Sequence, residues 1–205
     1  MRQKTSTKNR ILDTAAALFG ERGIHGVSTA DIACKAHVNK AMIFYYFGSK
    51  EELYRAVFKK WLADLKTAME AGLDGVEPGL GMIEMFVRTH FEFLQEHRNM
   101  PGILIRELLI NDKRRSPLFQ DMAELFGHFG KSFLVALATA RKRGEIRDVD
   151  PIQTLVNIIS LDIFFFLGIP ILNLINPSIN SEEFRKSRVD HVLDLLMNGL
   201  RKQPE

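Results

Sequence analysis

With 205 residues, 46% of them hydrophobic and 26% charged, the chain can bury a sizeable core and is too evenly composed for a disordered or fibrous protein. Its single cysteine, Cys34, excludes an intrachain disulfide and fits a reducing compartment. The net charge of +3 is unevenly spread: residues 1–50 hold eight Lys/Arg against three acids, net +5, which leaves −2 for the remainder. A basic head on a near-neutral body is the electrostatic footprint of a nucleic-acid binder.

Few Gly and Pro, and no long β-branched alternation, predict an all-α chain of about nine helices. Helix 1 is expected from about Thr5 to Arg22, with Ile11, Ala15, Leu18 and Phe19 on one face and Gly23 as its stop. Ser28 with Asp31 forms a capping-box pattern that opens a short helix 2, which stops near Ala36. His37-Val38 make a tight turn, and Asn39 is a good N-cap for helix 3, Lys40 to Phe47. Two short helices joined by about three residues follow the helix-turn-helix plan, and the small Ala33 lets them approach closely. Gly48 breaks helix 3, and Ser49 to Glu52 launch a long helix 4 that runs to about Leu73.

A Gly-rich stretch, Gly72 to Gly81, follows. Helix 5 is expected from about Leu80 to His97, and helix 6 from Pro101 to near Asn111. Ser116-Pro117 opens helix 7, which Gly144 ends, and Asp150-Pro151 repeats the device for helix 8. Asn180 with Glu183 opens helix 9, which ends near Arg201.

Helix 8 invites a membrane reading, since Leu155 to Ile175 is rich in Leu, Ile and Phe. Asp162 within it would cost roughly 2.5–3.5 kcal/mol at a bilayer centre, and Asn157, Ser160, Asn173 and Pro170 interrupt the run. Packing against other helices is the expectation, with no membrane partner. The N-terminal MRQKTSTKNR leads into no apolar run suited to a signal peptide, so a cytoplasmic protein is expected.

Nothing points to an enzyme or to a cofactor. His90 and His97 share a helix face but stand seven residues apart, roughly 10 Å of rise and too far for one metal. No phosphate-binding loop, dinucleotide glycine string or nucleophile elbow is present. Cys34 has no neighbouring cysteine to resolve an oxidised state, so it reads as an inert surface thiol.

Residues 28–57, STADIACKAHVNKAMIFYYFGSKEELYRAV, with ILDTAAALFGERGIHGVS before them, resemble the DNA-binding signature of the TetR family of transcriptional regulators. The register of Thr29, Ile32-Ala33, Val38, Lys40, Phe47, Lys50, Glu51 and Leu53 carries the likeness, and RGEIRDVDP at 143–151 resembles the family's link between helices 7 and 8. Three departures stand out. His37 replaces the usual turn Gly, Ala41 replaces a Gly after the recognition Lys, and Phe44 replaces the first of a Tyr pair.

The resemblance implies a three-helix DNA-binding head, residues 1–50, and a ligand-binding and dimerisation body, residues 51–205. In that register Asn39, Lys40 and Ala41 lead into the major groove of a double-stranded operator. Tyr45 and Tyr46 offer hydroxyls to the DNA backbone, and Thr29 and Lys50 contact phosphates. The resemblance also implies a homodimer seamed by helices 8 and 9, whose apolar faces one body cannot cover alone.

Between helices 5, 6, 7 and 8 the expectation is a small, mainly apolar effector of unknown identity. Its lining would come from Met82, Phe86, Phe93, Phe129, Phe133 and Phe165, with His90, Asn157 and Asp162 as orienting polar groups. For each Phe singly, simple core packing is the better reading. For the buried polar residues the structural alternatives are an Arg106–acid pair and an interface hydrogen bond for Asp162. A repressor released by its ligand is the expected function. The alternatives are an activator or a regulator answering to a protein partner, and, in a different class, an enzyme.

Overall fold

The structure, a computed structural model, describes residues 6–109 and 117–202. The described residues form nine α-helices and no β-strand: α1 (Thr7–Arg22), α2 (Thr29–Lys35), α3 (Lys40–Phe47), α4 (Lys50–Leu73), α5 (Leu80–Glu96), α6 (Met100–Leu109), α7 (Pro117–Lys142), α8 (Pro151–Ile175) and α9 (Glu182–Leu200). The all-α expectation therefore holds. The helix starts follow the local chemistry: Ser6, Ser28, Asn39 and Asp150 each accept a hydrogen bond from a backbone N–H in the first turn. α6 begins at Met100, one residue before the expected Pro101, and α9 differs in its cap. Ser181, not Asn180, caps α9, accepting from Phe184 N, because Pro177–Asn180 is already wound into a 3-10 turn. The expected Thr5, Asn111 and Ser116 boundaries lie outside the described residues.

Contacts divide the chain into two compact units. One holds the described residues up to Asp64 together with those of Asn99–Met122; the other holds Leu65–Arg98 and the described residues from Ala123 onward. The division does not fall at residue 50. Leu53, Tyr54, Val57 and Phe58 on α4 are buried, and α6 packs on α1, so the first unit draws in more than three helices.

In the first unit α1 packs on α2 and α2 on α3. Their core is Ile11, Ala15 and Phe19 with Ile32, Ala33 and Ile43, all nearly or fully excluded from solvent. Two side chains of α6 pin it. Arg106 donates to the carbonyls of Phe19 (3.1 Å) and Gly20 (3.2 Å), and the Tyr54 hydroxyl donates to Glu107 at 2.7 Å. Arg106 thus finds backbone carbonyls at the end of α1, where an acid partner was expected. A guanidinium there adds a donor to carbonyls of the last turn and complements the helix dipole. Burial, then the Glu107 carboxylate, pushes the Tyr54 phenol well above its ordinary value.

In the second unit α5 packs between α8 and α9. Phe91 sits 5.9 Å from Phe165 and 5.3 Å from Phe166, ring centre to ring centre, and is fully buried. Gly79 offers α5 no side-chain cap; the Glu145 carboxylate accepts from Leu80 N instead, at 3.0 Å. α8 is long and apolar enough to cross a membrane by length and composition. It runs through Pro170 to Ile175, one side carrying Ile158, Asp162, Phe165 and Phe166 inward, while Phe164, Ile171, Leu174 and Ile175 stay exposed.

Candidate functional site

The head's geometry begins with its caps. Asp31 Oδ2 accepts from Ser28 N (2.9 Å) and Ser28 Oγ (2.7 Å), while Ser28 Oγ accepts from Asp31 N (3.1 Å). These bonds from Ser28 hold the Asp31 carboxyl below the usual carboxylate range. The chain leaves α2 through His37, whose φ of 52° makes it a non-glycine residue in the left-handed region. Histidine tolerates that region better than most residues, so the turn survives without the expected glycine.

Asn39 Oδ1 then accepts from Ala41 N at 2.8 Å and opens α3. That commits the amide oxygen of Asn39 to the helix and leaves its NH2 free to donate. Ile43 turns fully into the core. Lys40, Ala41, Phe44 and Tyr45 face solvent, Tyr45 at 79% exposure. Tyr46 is half-buried, edge-on to Tyr45 with ring centres 5.1 Å apart. Thr29 is half-buried at the start of α2. Lys50 donates to Val27 O at 3.2 Å, which ties the start of α4 to the loop before α2. A lysine ammonium has three donors, so this bond leaves two for a phosphate. Two contacts were missing from the expected set: the Lys40 ammonium lies 5.9 Å from the Phe44 ring centre, and the Lys8 ammonium lies 5.9 Å from that of Phe47. The i to i+4 spacing of Lys40 and Phe44 was a legible clue to the first. The second joins two helices and had none.

In the body unit, His90 Nδ1 and Asp162 Oδ2 share a hydrogen bond of 2.7 Å. Both side chains are buried, Asp162 at 0% exposure. Burial raises the Asp162 carboxyl, and the His90 hydrogen bond and the Arg188 charge pull partly against it. Asp162 Oδ1 is buried without a hydrogen-bond partner. Asp162 is therefore held inside its own chain, not offered to an interface. Phe86 stacks over His90 (6.3 Å) and meets Phe133 at 5.0 Å. Phe91, next to His90 in sequence, packs on Phe165.

Asn157 does not join them. It lies exposed on α8, five residues before Asp162 and so on the opposite side of the helix. Phe93 is buried 4.3 Å from the His97 ring, and Phe129 is buried beside His128. An apolar groove of about 550 Å³ runs along α8 and α9, lined by Leu161, Phe164, Phe165, Leu172, Phe184 and Arg188 among others. A second, of about 530 Å³, includes Leu134, Leu137, Ile146 and Ile152. Of the expected lining only Phe165 borders either groove. Arg188, missing from the expected set, stands 5.5 Å from the Phe165 ring centre with its Nε buried and without a hydrogen-bond partner. Among the described residues no group of His, Cys, Asp and Glu is arranged to hold a metal ion.

A capped two-helix turn that presents Lys and Tyr outward defines a helix-turn-helix DNA-binding protein. The family profile described as "Bacterial regulatory proteins, tetR family" matches residues 11–57, the span from α1 into α4. The chain is 29% identical to the HTH-type transcriptional regulator RutR of Escherichia coli (strain K12) over 211 residues, covering 98% of this chain and 93% of that one. It is 29% identical to the HTH-type transcriptional repressor SCO4008 of Streptomyces coelicolor over 155 residues, 76% of this chain and 75% of the relative. Its fold is similar to that of the ketosteroid transcriptional regulator KstR2 of Mycobacterium tuberculosis, with a TM-score of 0.78, 20% identity and 98% of both chains covered. Residues 11–57 match the DNA-binding part of the tetR family, and over its whole length the chain is similar to transcriptional regulators of that type.

Proposed function

We propose that the protein is a cytoplasmic repressor that binds a palindromic operator as a homodimer and is released by a small, mainly apolar effector. The observation that carries the operator reading is the outward face of α3, where Lys40, Ala41 and Tyr45 stand exposed just past the Asn39 cap. In this reading Asn39, Lys40 and Ala41 meet base edges, and Thr29, Tyr45, Tyr46 and Lys50 meet the DNA backbone. Residues 1–50 serve as the DNA-contacting part and 51–205 as the regulatory part.

The dimer reading rests on α8, whose exposed Val156, Phe164, Ile171 and Leu174, with Leu195 on α9, form an apolar surface of the kind that marks an interface. Two heads then meet successive major grooves, roughly 34–36 Å apart. The effector reading rests on the unpartnered Asp162 Oδ1 beside His90, Phe86 and Phe133. A ligand donor there would satisfy an acceptor that the fold leaves unmet. The effector must favour one of two states of the protein; a switch from mostly bound to mostly free needs a differential affinity of about 5.5 kcal/mol. α4 is the candidate lever, since one unbroken helix contributes residues to both compact units.

Selection of duplexes from random DNA, sedimentation of the free protein and a thermal-shift screen of lipophilic and aromatic compounds test the three parts. A palindromic consensus, a dimer at micromolar concentration, and a stabilising compound that dissociates the complex are the expected results. Absence of any duplex preference removes the operator reading, and a monomer removes the dimer.

A further inference from the structure

We propose that Phe44 is a sequence-reading residue of the recognition helix, and that the operator carries a thymine whose 5-methyl group packs against its ring. The inference rests on α3 being the recognition helix. Phe44 is 45% exposed, although a half-exposed phenyl adds little to the core that Ile43 already closes. It shares one face of α3 with Lys40, Ala41 and Tyr45, at positions i, i+1, i+4 and i+5. On that face Ala41 and Phe44 are the apolar pair, flanked by a cation and a phenol.

A side chain presented to the major groove meets donors, acceptors and one kind of apolar group, the thymine 5-methyl. A phenyl has no hydroxyl for a phosphate, so its contact in the groove is apolar. Lys40 adds a second constraint. Its ammonium lies 5.9 Å from the Phe44 ring centre, close enough for the ring to hold it. Lys40 donates well to guanine O6 and N7. A lysine held over a methyl-reading ring reads a guanine close to the thymine, so the two residues specify neighbouring bases as a unit.

The test uses the full chain and the operator recovered by selection. Each thymine is replaced in turn by deoxyuridine, which deletes the 5-methyl and keeps the pairing. For the wild type, one symmetric pair of thymines is expected to be methyl-sensitive, with affinity falling about fourfold for each methyl lost. In Phe44→Ala the same replacement has no effect, and in Phe44→Leu, which keeps apolar bulk, it has an intermediate one. Ala41→Gly retains the sensitivity.

Thermal unfolding confirms that the variants are folded; if Phe44→Ala is not, Phe44→Leu against wild type decides, since a smaller apolar side chain must blunt the methyl effect. A wild type indifferent to every thymine methyl overturns the proposal, as does a Phe44→Ala protein that stays fully methyl-sensitive. Loss of the sensitivity in Ala41→Gly alone assigns the methyl to Ala41 and also overturns it. If selection recovers no preferred duplex, the operator reading itself fails first and takes this inference with it.

Discussion

In the first compact unit the groups that cap the helix-turn-helix are exposed and held by neighbours close in sequence. Ser28 and Asp31 cap each other across three residues, and Asn39 caps onto Ala41 across two. In the second unit the polar groups that matter are buried and meet across long stretches of chain: His90 and Asp162 are 72 residues apart in sequence and 2.7 Å apart in space. The contrast follows from what each reading requires. A DNA-reading surface needs charges that stay solvated until the duplex arrives, so local caps suffice to aim them. A group that orients an apolar ligand must be shielded from water, and tertiary packing has to pay its desolvation cost. Substitutions of exposed DNA-facing side chains in the first region should therefore change binding and leave stability nearly untouched, and those of buried side chains in the second should do the reverse.

The largest expected effect is in the second region. Phe91→Ala should cost about 3–5 kcal/mol, read as a lower denaturation midpoint, because the fully buried ring is replaced by a cavity against Phe165 and Phe166. A loss under about 1 kcal/mol would mean that this aromatic cluster does not hold the unit.

Lys40→Ala comes next and sharpens the other side of the contrast. With the side chain exposed, the midpoint should stay put while discrimination between operator and mismatched duplexes falls by about 1–3 kcal/mol. A uniform loss on all duplexes, with a salt slope shallower by about one, would instead make Lys40 a phosphate contact.

Ser28→Ala removes one half of the capping box and should destabilise by about 1 kcal/mol in chemical denaturation. It tests whether local caps carry stability in this region at all; a shift of zero would say that α2 is held by packing alone.

The last effect is a slope. The Asp162 carboxyl is raised, so the native state binds its proton more tightly than the unfolded chain does. The stability tied to that proton is present at pH below the ordinary carboxylate value near 3.8 and is lost as pH climbs through the raised one. Asp162→Asn has no charge to bury. The melting temperature of the variant minus that of the wild type should therefore grow more positive from pH 4 to pH 8. A difference that falls over that range would show that His90 and Arg188 more than offset the burial of the carboxylate.

Much of the helical plan was legible because its signals are local. Ser28-x-x-Asp31, Asn39, Asp150-Pro151 and the stops at Gly23 and Gly48 act through backbone groups within a few residues, so their chemistry can be read along the chain. The same holds for Ser49, which accepts from Glu52 N at 3.1 Å. Asn180 misled because a 3-10 turn had already used its turn-forming chemistry one residue before the true cap. Asn157 misled because the apolar run of α8 does not show which of its sides faces inward. α8 has an exposed side, and Asn157 sits on it.

By itself, the sequence determined the all-α class, the helix-turn-helix register and the exposed basic face of the head, since caps, periodicity and charge need no distant partner. Only the tertiary structure decided that Arg106 serves the carbonyls at the end of α1, that Asp162 belongs to His90, that Lys50 bonds Val27 O, and that Arg188 lies over Phe165. Each of these joins residues that no periodicity relates. Which polar group meets which is settled by how helices pack, and a buried donor or acceptor takes whatever partner that packing brings within about 3 Å.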